Sequence, residues 1–429
     1  MNNSLTKRYT EKFPESLKTF EKFKGLFPRG VCHDIRYFEP FPFITKSAEG
    51  VFITTAEDEK ILDLWMGHYA NILGHNPPEV MDFVTESLKS QIHTGTTNIF
   101  QLMLAEEIKK AVPELESFRF CTSGTEATMY AIRVAKHFTK KPIVVKMEGG
   151  WHGGNSELAH QIKPPFKDST PETIGVKFND IEATLSTIEN YRDKIACIII
   201  EPIMGAGGGV AADKEYLLAI RKFCDETGAL LIFDETVTGF RFRHGSIWPM
   251  FGVKPDMFTM GKIIGGGFAI GLYGGKKEIM RVIGKGGIIT GGGTFSAHPA
   301  AMSSGFKVLT LLKERNYEEL NISGNFIQKE VEHLLKKHRL NAVVRGFNSI
   351  FSITFFDEPV EDFSVSNVIA KQSFKKEQIF KMALILNGLY TMHSGGALSF
   401  AHLTDGIVNN IMEIYDKTIE EVAENNFYE

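Results

Sequence analysis

Two periods of apolar spacing alternate along this chain. Apolar residues recur at three- and four-residue intervals over 79–92, 101–112, 126–138 and 214–227, which predicts amphipathic helices. Between and beyond them lie short, nearly continuous apolar runs at 118–121, 143–146, 195–201, 229–234 and 256–260. Such runs, alternating with helices of about a dozen residues, predict a parallel sheet covered by helices on both faces. Upstream, a helix and a loop punctuated by Phe27-Pro28-Arg29-Gly30-Val31 lead into two paired strands, 50–54 and 60–64, joined at Ala56-Glu57-Asp58-Glu59. The last hundred residues change character. Amphipathic helices at 325–338 and 372–387 flank strand-like runs at 341–346, 349–356 and 397–401, which predicts a smaller α+β unit beginning near 315–325.

Four of the apolar runs or their edges carry residues with chemical use. Cys121-Thr122-Ser123-Gly124-Thr125-Glu126-Ala127 sits between a strand and a helix. A small turn there points backbone N–H groups outward at the positive end of a helix, which suits an anion or phosphate; it equally suits an ordinary N-cap. Leu230-Leu231-Ile232-Phe233 ends in Asp234-Glu235, at the carboxyl end of a strand where ligands of open α/β sheets bind. A carboxylate there holds a protonated ring nitrogen or a metal, or merely caps the next loop. Lys262 lies in Met260-Gly261-Lys262-Ile263-Ile264-Gly265-Gly266-Gly267, among apolar residues and glycines. Desolvation lowers a lysine pKa and yields the neutral amine a Schiff base requires; the plainer alternative is a lysine that snorkels past a turn. The spacing of a nucleotide P-loop is not present. Gly291-Gly292-Gly293-Thr294-Phe295-Ser296 is a second phosphate cradle or a flexible loop. Each signal is weak alone. In this order, and with Trp151 as an aromatic lid, they form the parts list of a pyridoxal phosphate site: phosphate anchor, ring cover, carboxylate for the pyridine nitrogen, and lysine.

Composition narrows the picture. Across 429 residues the charge is nearly balanced, 48 Lys and Arg against 52 Asp and Glu, so no basic footprint for nucleic acid exists. Cys32, Cys121, Cys197 and Cys224 stand far apart with no paired spacing, which excludes a disulfide scaffold and a recognisable zinc site and favours a reducing compartment. Residues 1–24 are charged throughout, and the charge-free stretches 286–306 and 382–404 are broken by Gly, Ser and His. Neither a signal peptide nor a membrane span is expected, and the chain reads as a cytoplasmic protein.

At these residues the sequence resembles the class III aminotransferases of pyridoxal phosphate fold type I, and most of all their glutamate-1-semialdehyde 2,1-aminomutase branch. The resemblance rests on Ser123-Gly124-Thr125-Glu126-Ala127-Thr128-Met129, Glu148-Gly149-Gly150-Trp151-His152-Gly153, Glu201-Pro202, Asp234-Glu235 with Thr238-Gly239-Phe240-Arg241, Gly261 to Gly267, and Leu73-Gly74-His75-Asn76. It implies an α/β fold: a large domain (75–318) with a mostly parallel seven-stranded sheet, and a smaller α+β domain formed by an N-terminal segment (1–74) and a C-terminal one (319–429). It implies pyridoxal phosphate as the cofactor and no metal. Lys262 would form the internal aldimine and carry the shuttled proton, and Asp234 would pair with the pyridine nitrogen. Ser123, Gly124 and Thr125 would hold the phosphate, with Thr294 reaching it from the other subunit of a homodimer. Trp151 would cover one ring face, with His152 and Glu201 beside the cofactor, and Thr236 would pack on the other. On the substrate side the resemblance implies Arg36 as the carboxylate clamp, with Tyr69 and Ser394 lining the pocket; Arg241 and Arg243 are the nearest competing arginines.

Several departures from the mutase pattern bear on the reaction. The stretch 154–180, a long mobile loop in the mutase, is shorter here. Ser394 stands where the mutase carries a glutamate. Ala206 and His68-Tyr69 replace an asparagine and a Ser-Trp pair, and Thr236 follows Asp-Glu in place of valine. A leaky lid lets the intermediate escape and turns a mutase into a transaminase. The expectation is therefore intermolecular transamination between a keto acid and a carboxylate-bearing amino substrate, with the amino group β to the carboxylate or further away. The aminomutase itself, another pyridoxal phosphate reaction and a catalytically silent transaminase-fold protein are the alternatives; loss of Lys262 or Asp234 would have marked the last.

Overall fold

The computed structural model describes residues 3–159, 172–284, 289 and 291–426. Strands are numbered along the chain: β1 (Thr45–Glu49), β2 (Phe52–Thr55), β3 (Lys60–Asp63), β4 (Ser117–Cys121), β5 (Ile143–Met147), β6 (Thr173–Val176), β7 (Ile195–Ile200), β8 (Ile203–Met204), β9 (Val210–Ala211), β10 (Leu230–Glu235), β11 (Met257–Gly261), β12 (Gly271–Gly275), β13 (Ala342–Phe347), β14 (Ile350–Phe355), β15 (Leu389–Tyr390) and β16 (Gly396–Ala397). Seven of them form the central sheet in the order β4-β12-β11-β10-β7-β5-β6. Only β12 runs against the rest. Every residue of β5, β7 and β10 is buried, because helices cover both faces. That double burial is why these strands read as unbroken apolar runs rather than as alternations.

Glycine-rich β12 escapes the hydrophobic pattern. Its Gly271 pairs with both Cys121 and Gly261, and a Cβ there would lie 2.1 Å from the Ser123 carbonyl oxygen. Only glycine lets this strand approach the turn that follows β4 so closely.

The two ends of the chain meet. β15 joins β3 in parallel and completes the sheet β1-β2-β3-β15, while β13, β14 and β16 form a separate antiparallel sheet. Leu5 and Tyr9 of the helix Asn3–Lys12, and Phe13 just after it, are buried in the main hydrophobic core. Two expectations shift here. The helix predicted at 325–338 begins at Tyr317, where Asn316 accepts a hydrogen bond from the Glu319 amide and two glutamates occupy the first turn. The strand predicted at 397–401 shrinks to Gly396–Ala397. Ser399 and His402 then form a capping box that turns the chain into a 3₁₀ helix, Phe400–Leu403. Part of the shortened 154–180 stretch, residues 160–171, lies outside the described residues, as do 286–288 and 290 of the charge-free stretch at 286–306. Among the described residues no helix is long and apolar enough to cross a membrane.

Candidate active site

The carboxyl ends of the parallel strands converge on one edge of the central sheet. β4 delivers Ser123-Gly124-Thr125, β5 leads to Trp151-His152, β7 to Glu201, β10 to Asp234 and β11 to Lys262. Ser123 is the N-cap of the helix Gly124–Thr139, its hydroxyl accepting from the Glu126 amide at 3.2 Å. Glu126 in turn accepts from the Thr122 amide at 2.6 Å. The amides of Gly124 and Thr125 have no partner among the described residues, so the cap and the anion site coexist on one turn.

Asp234 lies beside Thr259 in the β10–β11 register. Its Oδ1 accepts from the Thr259 hydroxyl at 2.9 Å and from the Thr236 hydroxyl and amide at 2.6 and 3.1 Å. His152 Nδ1 lies 2.8 Å from Oδ2. Burial alone would raise this carboxyl, but the hydrogen bond and charge of His152 and the Thr236 donors hold it below the usual aspartate range. His152 Nε2 is buried with no hydrogen-bond partner. Glu201 accepts from the Trp151 amide at 2.8 Å and the Gly205 amide at 3.0 Å, and burial pushes its carboxyl upward. The Trp151 indole stays 45% exposed above this floor. Gly153 packs on Thr125, where a Cβ would come within 2.5 Å of the threonine hydroxyl, so the Trp-His-Gly segment and the anion turn are locked together.

Lys262 makes no hydrogen bond or ion pair among the described residues. Burial holds its ammonium below the usual lysine range, and the Asp234 and Glu201 charges only partly oppose that. An unpartnered amine beside a carboxylate–imidazole pair, an open anion turn and an orphaned ring nitrogen fit a ligand that carries an anionic group, an aldehyde and a basic ring. Among the described residues no cluster of His, Cys, Asp and Glu is placed to hold a metal ion.

The substrate side draws on the two ends of the chain. Arg36, in a 3₁₀ turn of the N-terminal segment, is exposed and makes no ion pair among the described residues. Its two competitors are occupied. Arg241 is fully buried and donates to the carbonyls of Leu398, at 2.9 Å, and Tyr69, while Arg243 donates to the Ser246 carbonyl. Tyr69 and Ser394 are buried, at 3% and 0% exposure, as Asp234 is at 3%, and the Ser394 hydroxyl has no hydrogen-bond partner among the described residues. Their neighbours His68 and His393 are partly exposed. The His68 ring lies 5.2 Å from that of His33, tilted by 36°, and is pushed down to about 4 by burial and by the charges of His33, Arg36, Lys262 and His393. Met66, Gly67, His68 and Tyr69 all have positive φ, between 47° and 69°, so this stretch is a left-handed turn. Nothing in the residue types announces that turn except Gly67. Thr294 sits on an exposed loop that runs past Glu126 and Tyr130 of its own chain. Thr259 carries a signal that sequence reasoning passed over: a lone hydroxyl inside an otherwise apolar strand.

Comparisons with known proteins agree with this geometry. Residues 36–401 match the family model described as aminotransferase class-III. A glutamate-1-semialdehyde 2,1-aminomutase from Methanopyrus kandleri is 34% identical over 97% of this chain and 99% of its own. Among solved structures, an omega-transaminase from Sphaerobacter thermophilus superposes with a TM-score of 0.87 at 28% identity, covering 95% of this chain and 98% of its own. A beta-phenylalanine aminotransferase from Variovorax paradoxus reaches 0.90 at 26% identity, covering 98% and 97%. The chain therefore belongs to the class III aminotransferases, enzymes that work on small molecules with pyridoxal phosphate as cofactor.

Proposed function

We propose that this enzyme moves an amino group between a β- or ω-amino carboxylate and a keto acid. One observation carries the reading: His68 lies within electrostatic reach of both the Lys262 amine and the Arg36 guanidinium, so an unpaired cation for a carboxylate stands on the same cleft as the unpaired amine. A guanidinium matches a carboxylate through two parallel hydrogen bonds.

When bound, pyridoxal phosphate supplies an electrophilic aldehyde and an electron-withdrawing ring. Lys262 would hold it covalently and carry the proton at Nζ during turnover. Asp234, kept ionised by His152, Thr236 and Thr259, would hold the ring nitrogen. Ser123, Gly124 and Thr125 would bind the phosphate and Trp151 would cover the ring, while Glu201 fixes the Trp151 backbone. Thr294 would complete the phosphate site of a partner subunit in a homodimer. Exposed Ile92, Ile99, Leu102 and Phe295 near that loop supply apolar surface for such a contact. The division at 74 and 318 and a cytoplasmic location complete the reading, the latter supported by free cysteines at 32, 121, 197 and 224.

The second reading, a glutamate-1-semialdehyde 2,1-aminomutase, is favoured by the relative that spans nearly the whole chain at 34% identity. Against it stand Ser394, sealed where the mutase branch carries a glutamate, and Ala206 in place of asparagine. The visible spectrum of the holoenzyme separates the two. Transamination requires a 2-oxo acid to restore the cofactor band that an amino donor bleaches. Isomerisation of glutamate-1-semialdehyde without any keto acid, with no donor bleaching the band, would establish the mutase instead.

A further inference from the structure

A lysine occupies a core position of the central sheet. Lys146, the fourth residue of β5, is fully buried, in register with Gly175 of β6 and Ile199 of β7. Side chains two apart on a strand share a face, so Lys146 faces the same way as Val144. Val144, Leu158 and Ile199 belong to one hydrophobic cluster, which makes this an apolar neighbourhood. Lys146 forms no ion pair among the described residues. Burial pushes its ammonium down to about 8, and Glu201 alone pulls it back. A cation at such a position weakens the fold unless its donors are used.

They are used on one segment. Lys146 Nζ donates to the Gly150 carbonyl at 3.1 Å and to the Leu158 carbonyl at 2.7 Å. Gly150 and Leu158 are buried, and among the described residues no other group donates to either carbonyl. The two carbonyls bracket Trp151 and His152. The chain leaves β5 through Gly149, with φ of 81°, and turns again at Gly153, with φ of 89°. Between these turns the Trp151 amide rests on Glu201 at 2.8 Å, and the Thr128 hydroxyl holds the His152 carbonyl at 2.6 Å. Lys146 ties both ends of the segment to a single atom, so the loop that carries the Trp151 indole closes on the sheet as one piece. The indole makes no hydrogen bond of its own among the described residues, and its position follows the backbone beneath it.

We propose that Lys146 is a positioning residue for the cofactor: its ammonium closes the segment 150–158 and so sets the place of the Trp151 indole over the cofactor ring. This deepens the reading of Trp151 as ring cover and rests on it. Without the ammonium two buried carbonyls lose their donor, and the segment opens to reach water. A methionine of similar length fills the space but bridges neither carbonyl.

Equilibrium dialysis of the holoenzyme reads the affinity for pyridoxal phosphate without turnover, and circular dichroism of the visible cofactor band reads the setting of the ring. Lys146→Met should weaken binding by about tenfold or more and diminish the dichroism. Lys146→Arg, which keeps donors for both carbonyls, should restore most of each. Lys146→Gln, with a donor for one carbonyl, should fall between them, and it replaces the methionine variant if that one does not fold. A merely structural lysine would weaken binding through the fold at large, so the deciding comparison is made in a Trp151→Ala background. There Lys146→Met should change the affinity by less than about twofold, because the side chain it positions is gone. An equal loss with and without the indole would overturn the proposal, as would wild-type affinity and dichroism in Lys146→Met. Failure of the ring cover itself shows separately, as a Trp151→Ala single variant that binds the cofactor as wild type does, and it takes the proposal with it.

Discussion

Lys381 offers a quantitative test of how the substrate wall is held. It is 6% exposed on the helix Phe374–Leu386 and makes no ion pair among the described residues. Its ammonium sits 4.8, 4.7 and 5.4 Å from the ring centres of Phe38, Trp65 and Tyr390. Trp65 stacks on Tyr390 and meets His68 edge-on, so this cage is the back of the wall that faces Arg36. Burial pushes Lys381 from 10.5 down to about 8, with only Glu377 pulling it back. Each unit is worth about 1.4 kcal/mol, so a charged Lys381 costs the folded state about 3 kcal/mol, less roughly 0.5–2 kcal/mol recovered from the rings. The cost depends on pH in one direction. Above 10.5 the lysine is neutral folded and unfolded, and the penalty vanishes. It grows as pH falls through that window, because the unfolded chain binds the proton first, and it is complete below about 8. Lys381→Met keeps the stem and removes the charge. Urea unfolding of holoenzyme, at fixed protein and cofactor concentrations, should show the variant about 1–3 kcal/mol more stable at pH 7. That advantage should shrink steadily towards pH 10. Lys146, also pushed down to about 8, cancels in the comparison. A variant less stable at pH 7, or one whose advantage ignores pH, would refute the reasoning.

Three further outcomes follow from distances in and around the site. Gly305 lies in the helix Pro299–Leu312, where a Cβ would come within 2.0 Å of the Ile264 carbonyl, on the 3₁₀ turn that carries Lys262. Gly305→Ala should lower kcat by about tenfold or more through that displacement, although it touches no ligand, whereas unchanged kinetics would free the turn from this helix. His152→Ala removes the main donor holding Asp234 ionised, so the acid limb of the kcat profile should move to higher pH; a stationary limb would mean that Asp234 does not govern it. His68→Ala and His68→Gly lose the same ring, but only glycine relaxes the left-handed backbone. In urea, the glycine variant should exceed the alanine one by about 1 kcal/mol, and equality would deny the strain.

The central sheet was legible because double burial writes itself as apolar runs, as in Ile195–Ile200 and Leu230–Glu235. The strand-end residues were legible for the same reason: Asp234 and Lys262 interrupt apolar stretches where the chain leaves the sheet. What sequence could not disclose was set by partners far along the chain. β12 has no apolar pattern, because Gly271 answers to the Ser123 carbonyl. The left-handed turn at Met66–Tyr69 was likewise hidden, because only Gly67 among its residues signals positive φ. Lys146 and Lys381 look like any surface cation until the fold shows what surrounds them.

The left-handed turn is where local and global preferences conflict most. A left-handed conformation costs an L-residue roughly 1–2 kcal/mol, and three of the four residues Met66–Tyr69 are not glycine. Such a turn persists only where the surroundings dictate it. Here they do so from both ends. The buried Asp63 carboxylate accepts from the amides of Trp65 at 2.7 Å and Met66 at 3.1 Å, and is itself held by His75 at 2.8 Å. Arg241 clamps the Tyr69 carbonyl and ties it to Leu398, 157 residues from Arg241 along the chain. Both clamps lie in motifs that carry the family resemblance: His75 in Leu73-Gly74-His75-Asn76, and Arg241 in Thr238-Gly239-Phe240-Arg241. They acquire a physical task, which is to hold a strained turn that keeps His68 within the charges of Arg36 and Lys262. A chain that accepts this strain and buries Lys381 among the rings of Phe38, Trp65 and Tyr390 has placed two destabilising features side by side, because Trp65 stacks on Tyr390 and meets His68 edge-on. Spread at random, such features would only weaken the fold; adjacent here, they mark a wall held for more than stability.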